Sequence, residues 1–245
     1  MCTVIVRVGD SPAEPVRLLA IRDEDPQRPW NPLGAWWPQA HPGVVGVRDV
    51  RAGGAWLAAA PDARRVAVVL NRADMLDLPP EQLDSRGGLV LAAVEGESLP
   101  EAPRTHGFNL VEVAPGGARV TSWDGQRLRR QDLAPGTHMI AHDDVDDATP
   151  RIVRWLDEFR GATPPPAPGH TADGAWWDGW LDVLSRSAEL DATDDRAIIR
   201  DNRPYGYPTL SLLACVAEVS ADGVDVRYGA LDRPGVWNPL ALDGV

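Results

Sequence analysis

The pattern of apolar and polar positions sets the first expectations. Thr3, Val4, Ile5, Val6 and Val8 are β-branched, and Gly9-Asp10 ends the run, which predicts a strand at the very start of the chain. Residues 15–21 predict a second strand, hairpinned to the first and running into Arg22-Asp23-Glu24-Asp25 before Pro26. Further strands are expected at 51–58, behind a Gly-Gly turn, and at 65–70, ending on Asn71. A meander follows at 107–113, 118–123 and 126–132, with Pro-Gly-Gly and Asp-Gly as its turns. Residues 137–141, 209–219 and 224–231 complete the strands. Helical patterns are fewer. Ser85 can cap a short helix to Val94. Thr149-Pro150 opens a second, with Ile152, Val153, Leu156 and Phe159 on one face. Beyond a stiff proline-rich connector at 163–168, Trp176, Trp177, Trp180, Leu181 and Leu184 make the apolar stripe of a third. Residues 26–50 show no period and read as a long loop carrying Trp30, Trp36 and Trp37.

This order of strands, a small helix, strands, two helices and a final hairpin predicts a layered α+β domain, sheets inside and helices outside. At 245 residues and 44% hydrophobic the chain can form one well-buried domain, residues 1–245. It has no apolar run of about 18 residues and no secretory leader pattern, so a membrane span is not expected. Two cysteines, Cys2 and Cys215, make no disulfide framework, and the cytoplasm is the expected compartment. A net charge of −12 with scattered arginines argues against nucleic acid. Every basic residue is Arg, which excludes a Schiff-base lysine and a P-loop lysine. The five histidines show no metal-ligand spacing, and the acidic run at 142–147 reads as a solvated loop.

Chemistry concentrates at Cys2. Removal of the initiator methionine would put an α-amine and a thiol on one residue, a base and a nucleophile together. The alternative is a small apolar residue in a strand. The predicted hairpin returns Arg22, Asp23 and Glu24 to the neighbourhood of Cys2, where Arg22 could lower the thiol pKa and a carboxylate could hold the amine. Asn71 at a strand end can offer an oxyanion donor, or simply start a turn. Trp30, Trp36 and Trp37, with Trp56 beyond the Gly-Gly turn, either wall a pocket for an apolar ligand or cover a sheet edge.

Taken together, Met1-Cys2, Ile21-Arg22-Asp23-Glu24, Ala52-Gly53-Gly54-Ala55-Trp56-Leu57, Leu70-Asn71, Gly107-Phe108-Asn109-Leu110 and Pro135-Gly136-Thr137 resemble the transport and Golgi organisation 2 family. That family is also called NRDE after an Asn-Arg-Asp-Glu tetrad. The resemblance implies an N-terminal nucleophile hydrolase-like fold, a four-layer αββα sandwich. It implies Cys2 as nucleophile, Arg22 and Asp23 as its supports, Asn71 as oxyanion donor and Asn109 at the pocket. The function implied is a cysteine amidohydrolase or acyltransferase on a small non-peptide amide or thioester, with no required cofactor. The alternatives are a binding or trafficking protein for haem or another flat apolar ligand, and a partner-binding domain anchored by its tryptophans. Oligomeric state is left open. The chain departs from the pattern at Ile21, which replaces the tetrad's Asn, at Ile140-Ala141-His142 in place of Leu-Ser-Asn, and at Gly206-Tyr207-Pro208.

Overall fold

A computed structural model describes residues 2–76, 78–145, 148–162 and 175–244. Its strands in chain order are β1 Thr3–Val8, β2 Val16–Glu24, β3 Trp30–Gly34, β4 Val45–Asp49, β5 Ala55–Ala60, β6 Arg65–Asn71, β7 Phe108–Ala114, β8 Gly117–Trp123, β9 Leu128–Asp132, β10 Gly136–Ile140, β11 Leu210–Val219, β12 Val224–Ala230 and β13 Asp243–Gly244. The helices are α1 Arg86–Val94, α2 Pro150–Gly161 and α3 Asp178–Ser187. Two antiparallel sheets result, one ordered β10-β1-β2-β11-β12-β13 and the other β3-β4-β5-β6-β7-β8-β9. The chain start is held between two neighbours, because β1 pairs with both β10 and β2.

Alternation along β1 divides the core. Cys2, Val4, Val6 and Val8 join the apolar mass shared with the second sheet, while Ile5 faces a separate cluster with Leu19, Ile21 and the residues of α2 and α3. Helix α1 covers the second sheet. It can do so because Gly54 and Gly87 meet backbone to backbone: a Cβ on Gly54 would lie 2.5 Å from the Gly87 carbonyl carbon. The layers are therefore α2 and α3, first sheet, second sheet, α1, an αββα sandwich.

Three expectations need correction. Residues 26–50 are not a long loop, since β3 and β4 lie within them. Pro32 and three glycines hid the pattern. Pro32 is tolerated because β3 is an edge strand, and Gly46 lets β4 approach β5, since a Cβ there would lie 2.5 Å from the Leu57 carbonyl oxygen. On α2, Val153 is 67% exposed, and Trp155 joins Ile152, Leu156 and Phe159 on the buried face at helical spacing. Trp176 and Trp177 precede α3 and pack edge-to-face, with ring centroids 5.5 Å apart, against the same apolar cluster. The connector at 163–168, Asp146 and Asp147 lie outside the described residues. Among the described residues no helix is long and apolar enough to cross a membrane.

Candidate active site around Cys2

The β1–β2 ladder pairs Thr3 with Ile21, and one further step sets Cys2 beside Arg22. The hairpin thus delivers the charged end of β2 to the thiol, as the sequence predicts. The Asp23 backbone N–H donates to Cys2 Sγ at 3.4 Å, and the thiol lies 3.7 Å from the Asp23 carbonyl oxygen. Cys2 is only 4% exposed. Burial, and next the charge of Asp23, push its thiol above the ordinary value. This favours the protonated thiol over the thiolate.

Asp23 turns the other way, toward the helical layer, and its carboxylate is gripped there. Ser211 donates through its hydroxyl at 2.6 Å and Asn202 through its amide at 3.2 Å. A bulge between Ser211 and Leu213 sets Ser211 opposite Asp23 and Leu213 opposite Arg22. Arg200 Nε donates to Asn202 Oδ1 at 2.9 Å, and the Arg200 backbone N–H donates to Ser211 Oγ at 2.8 Å. Arg151, from the first turn of α2, donates to Thr3 Oγ1 at 2.9 Å. Burial, and next the guanidinium of Arg200, lower Arg151 to about 10, which leaves it charged at neutral pH. None of Arg151, Arg200, Asn202 and Ser211 was an expected site residue. They come from segments far along the chain, and no local motif marks them.

His142 is a further addition. The β1–β10 ladder pairs Val4 with Ile140, and continuing it by two residues reaches Cys2 and His142. The ring is half-buried, and Nδ1 has no hydrogen-bond partner among the described residues. Burial, then Arg151, lower its pKa and favour the neutral imidazole.

The expected binding residues separate. Asn109 is not on the wall of the cavity that Asn71 lines. It is fully buried, its amide donates to the carbonyls of Ala141 at 3.0 Å and Asp143 at 2.5 Å, and Oδ1 accepts from Ser122 at 2.7 Å. It clamps the backbone on both sides of His142 to the second sheet. Trp56, Asn71 and Arg22 line one cavity of about 490 Å³, together with Arg86 and Glu24. Trp30, Trp36 and Trp37 are not on that wall. Trp36 donates to the Pro32 carbonyl and Trp37 to the Gly53 carbonyl, both at 2.7 Å, and all three pack against the inter-sheet core. Of the four tryptophans expected at a pocket wall or a sheet edge, Trp56 is the one on this wall. Cys2 is not itself on the cavity wall. Arg22 connects the two, being beside Cys2 in the ladder and on the wall. Among the described residues no cluster of His, Cys, Asp and Glu could hold a metal ion.

The model of one protein family, described as Transport and Golgi organisation 2, matches residues 1–194. No curated protein matches the chain. Among solved structures, a mutant conjugated bile acid hydrolase from Clostridium perfringens is similar at 10% identity and TM-score 0.47, over 100% of this chain and 92% of that one. An N-acylethanolamine-hydrolyzing acid amidase orthologue from Caenorhabditis elegans is similar at 10% identity and TM-score 0.46, over 88% and 92%.

Proposed function

The chain belongs to the Transport and Golgi organisation 2 family, and from that premise we propose that it is a cysteine hydrolase or acyltransferase acting on a small non-peptide amide or thioester. The observation that carries this reading is the setting of Cys2, fixed at the end of β1 against Arg22 and the Asp23 backbone, one residue from a cavity that also holds Asn71. In the proposed reaction Met1 is first removed. The neutral α-amine of Cys2 takes the thiol proton, and sulfur attacks the substrate carbonyl to form a C–S bond. Asn71 and a backbone N–H hold the oxyanion. The proton passes to the leaving amine or thiol as its bond to carbon breaks, and water or an acceptor amine then cleaves the thioester. Asp23, held by Ser211 and Asn202, fixes the amine end of the site from the helical side.

The test is release of amine or thiol from a panel of N-acyl amides and acyl thioesters, with Cys2→Ala in parallel. Turnover by the native chain and none by the variant is expected. Residual turnover in the variant would remove Cys2 from the mechanism.

A second reading is a protein that binds haem or another flat apolar ligand without chemistry. It draws on Trp56, the one expected indole on the cavity wall. Its mark would be a Soret shift on haem titration that survives Cys2→Ala and is lost in Trp56→Ala.

A further inference from the structure

Two residues that line the 490 Å³ cavity each carry a buried N–H donor with no hydrogen-bond partner among the described residues. The Arg22 side chain is 2% exposed; its Nη2 lies 3.5 Å from Glu24 Oε2 and 3.8 Å from Asp49 Oδ2. Its Nη1 is buried with no hydrogen-bond partner among the described residues. Trp56 Nε1 is buried and unpartnered in the same way. Buried donors are rarely left so, and two on one wall point to an acceptor supplied from outside.

Charge points the same way. Arg22, Arg28, Arg51 and Arg86 all line this cavity, in a chain whose net charge is −12. Glu24 and Asp49, also on the wall, pair with Arg22 and Arg28. Arg51 and Arg86 have no ion-pair partner among the described residues, and Glu24 acts on Arg86 only as a more distant charge. Arg86 is half-buried, and its Nη1 donates to the Gly107 carbonyl at 3.0 Å. Burial is the main cause that lowers its pKa, and the charges of Glu24 and Asp74 offset it only in part. Arg86 also opens α1, whose positive dipole end therefore faces the cavity behind the Ser85 cap.

We propose that this cavity binds an oxyanion, the carboxylate or phosphate of a small ligand, held by Arg22 Nη1, Trp56 Nε1 and the guanidinium of Arg86. A planar guanidinium and an indole N–H suit the two oxygens of such a group. A ligand with no oxygen acceptor would leave both buried donors unpaired, and a site built to hydrogen-bond a group discriminates hardest against analogues that lack it. The inference rests on the reading above that this is the ligand cavity beside Cys2, and it supplies the ligand's acidic head.

The test is thermal unfolding of the full-length Cys2→Ala chain in sodium chloride, acetate and phosphate at matched ionic strength. The variant cannot turn over, so anion binding is read apart from chemistry. Comparison is with Cys2→Ala carrying Trp56→Phe, which removes only the N–H, or Arg86→Gln. General salting effects are common to all three chains and cancel. A rise in Tm with acetate or phosphate over chloride, reduced in both variants, is the expected result. A response to acetate alone marks a carboxylate, and a response to phosphate alone marks a phosphoryl group. Equal Tm shifts in the three chains, or no shift beyond chloride, would overturn the site. Failure of the amide and thioester panel would remove the chemistry and leave this result standing.

Discussion

Cys2 and Cys215 are both buried thiols on the first sheet, and both belong to the apolar core between the sheets. Cys215 sits in the middle of β11, paired with Ala20 on one side and Tyr228 on the other. Burial pushes its thiol far up, and the charge of Arg22 opposes this. Cys2 is raised by burial too, but it stands at a sheet end where a backbone N–H, Arg22 and the Asp23 network converge. Burial is thus not what separates an inert thiol from a candidate nucleophile. The neighbours delivered by β2, α2 and the segment before β11 make the difference.

The largest expected effect breaks the pair outright: Cys2→Ala abolishes turnover, while Cys215→Ala leaves kcat/KM unchanged in the same assay. Next comes Asn71→Ala. Loss of one oxyanion donor lowers kcat on the order of 10²–10³-fold with the fold intact by circular dichroism. Asp23→Ala tests whether the network beneath Cys2 is structural. Ser211 and Asn202 lose a buried acceptor, which lowers stability in urea unfolding by about 1–3 kcal/mol for each group left unpaired. Isosteric Asp23→Asn should recover part of that loss. Cys215→Ala removes one buried sulfur and lowers stability by about 1 kcal/mol, with no change at Cys2.

The smallest effect lies away from both cysteines. Asp124 accepts from Arg129 and from the N–H groups of Gln126 and Arg127 in the turn between β8 and β9. Burial alone would raise its pKa, but these bonds hold it at about 2, below the ordinary 3.8. Its contribution is therefore complete above pH 3.8 and is lost as pH falls through about 2. Stability should decline less over that range in Asp124→Asn, as followed by tryptophan fluorescence.

The strands around Cys2 were legible because alternation and β-branching agree with the ladder, and the hairpin's length fixed which residues of β2 reach the thiol. Asn71 was legible as a strand terminus, and it does line the cavity. The tryptophans were ambiguous because an indole carries the same apolar signal on a cavity wall or against a core; of the four, Trp56 is on the wall of this cavity. Asn109 clamps backbone on both sides of His142, and an amide that does so cannot be told by type from one that meets a ligand. Ser211, Asn202, Arg200 and Arg151 were not legible at all. Arg151, Asn202 and Ser211 act through contacts across 148 to 188 positions of chain and a bulge in β11, and Arg200 acts through Asn202 and Ser211, which no local pattern encodes.

The most direct test of the contrast is peptide mapping by mass spectrometry after timed treatment with iodoacetamide of the folded chain from which Met1 has been removed, so that the Cys2 α-amine can take the thiol proton. The account predicts one carbamidomethyl group per chain, on Cys2, with Cys215 unmodified until the protein is unfolded. No modification of Cys2 in the folded chain, or equal modification of both cysteines, would contradict it.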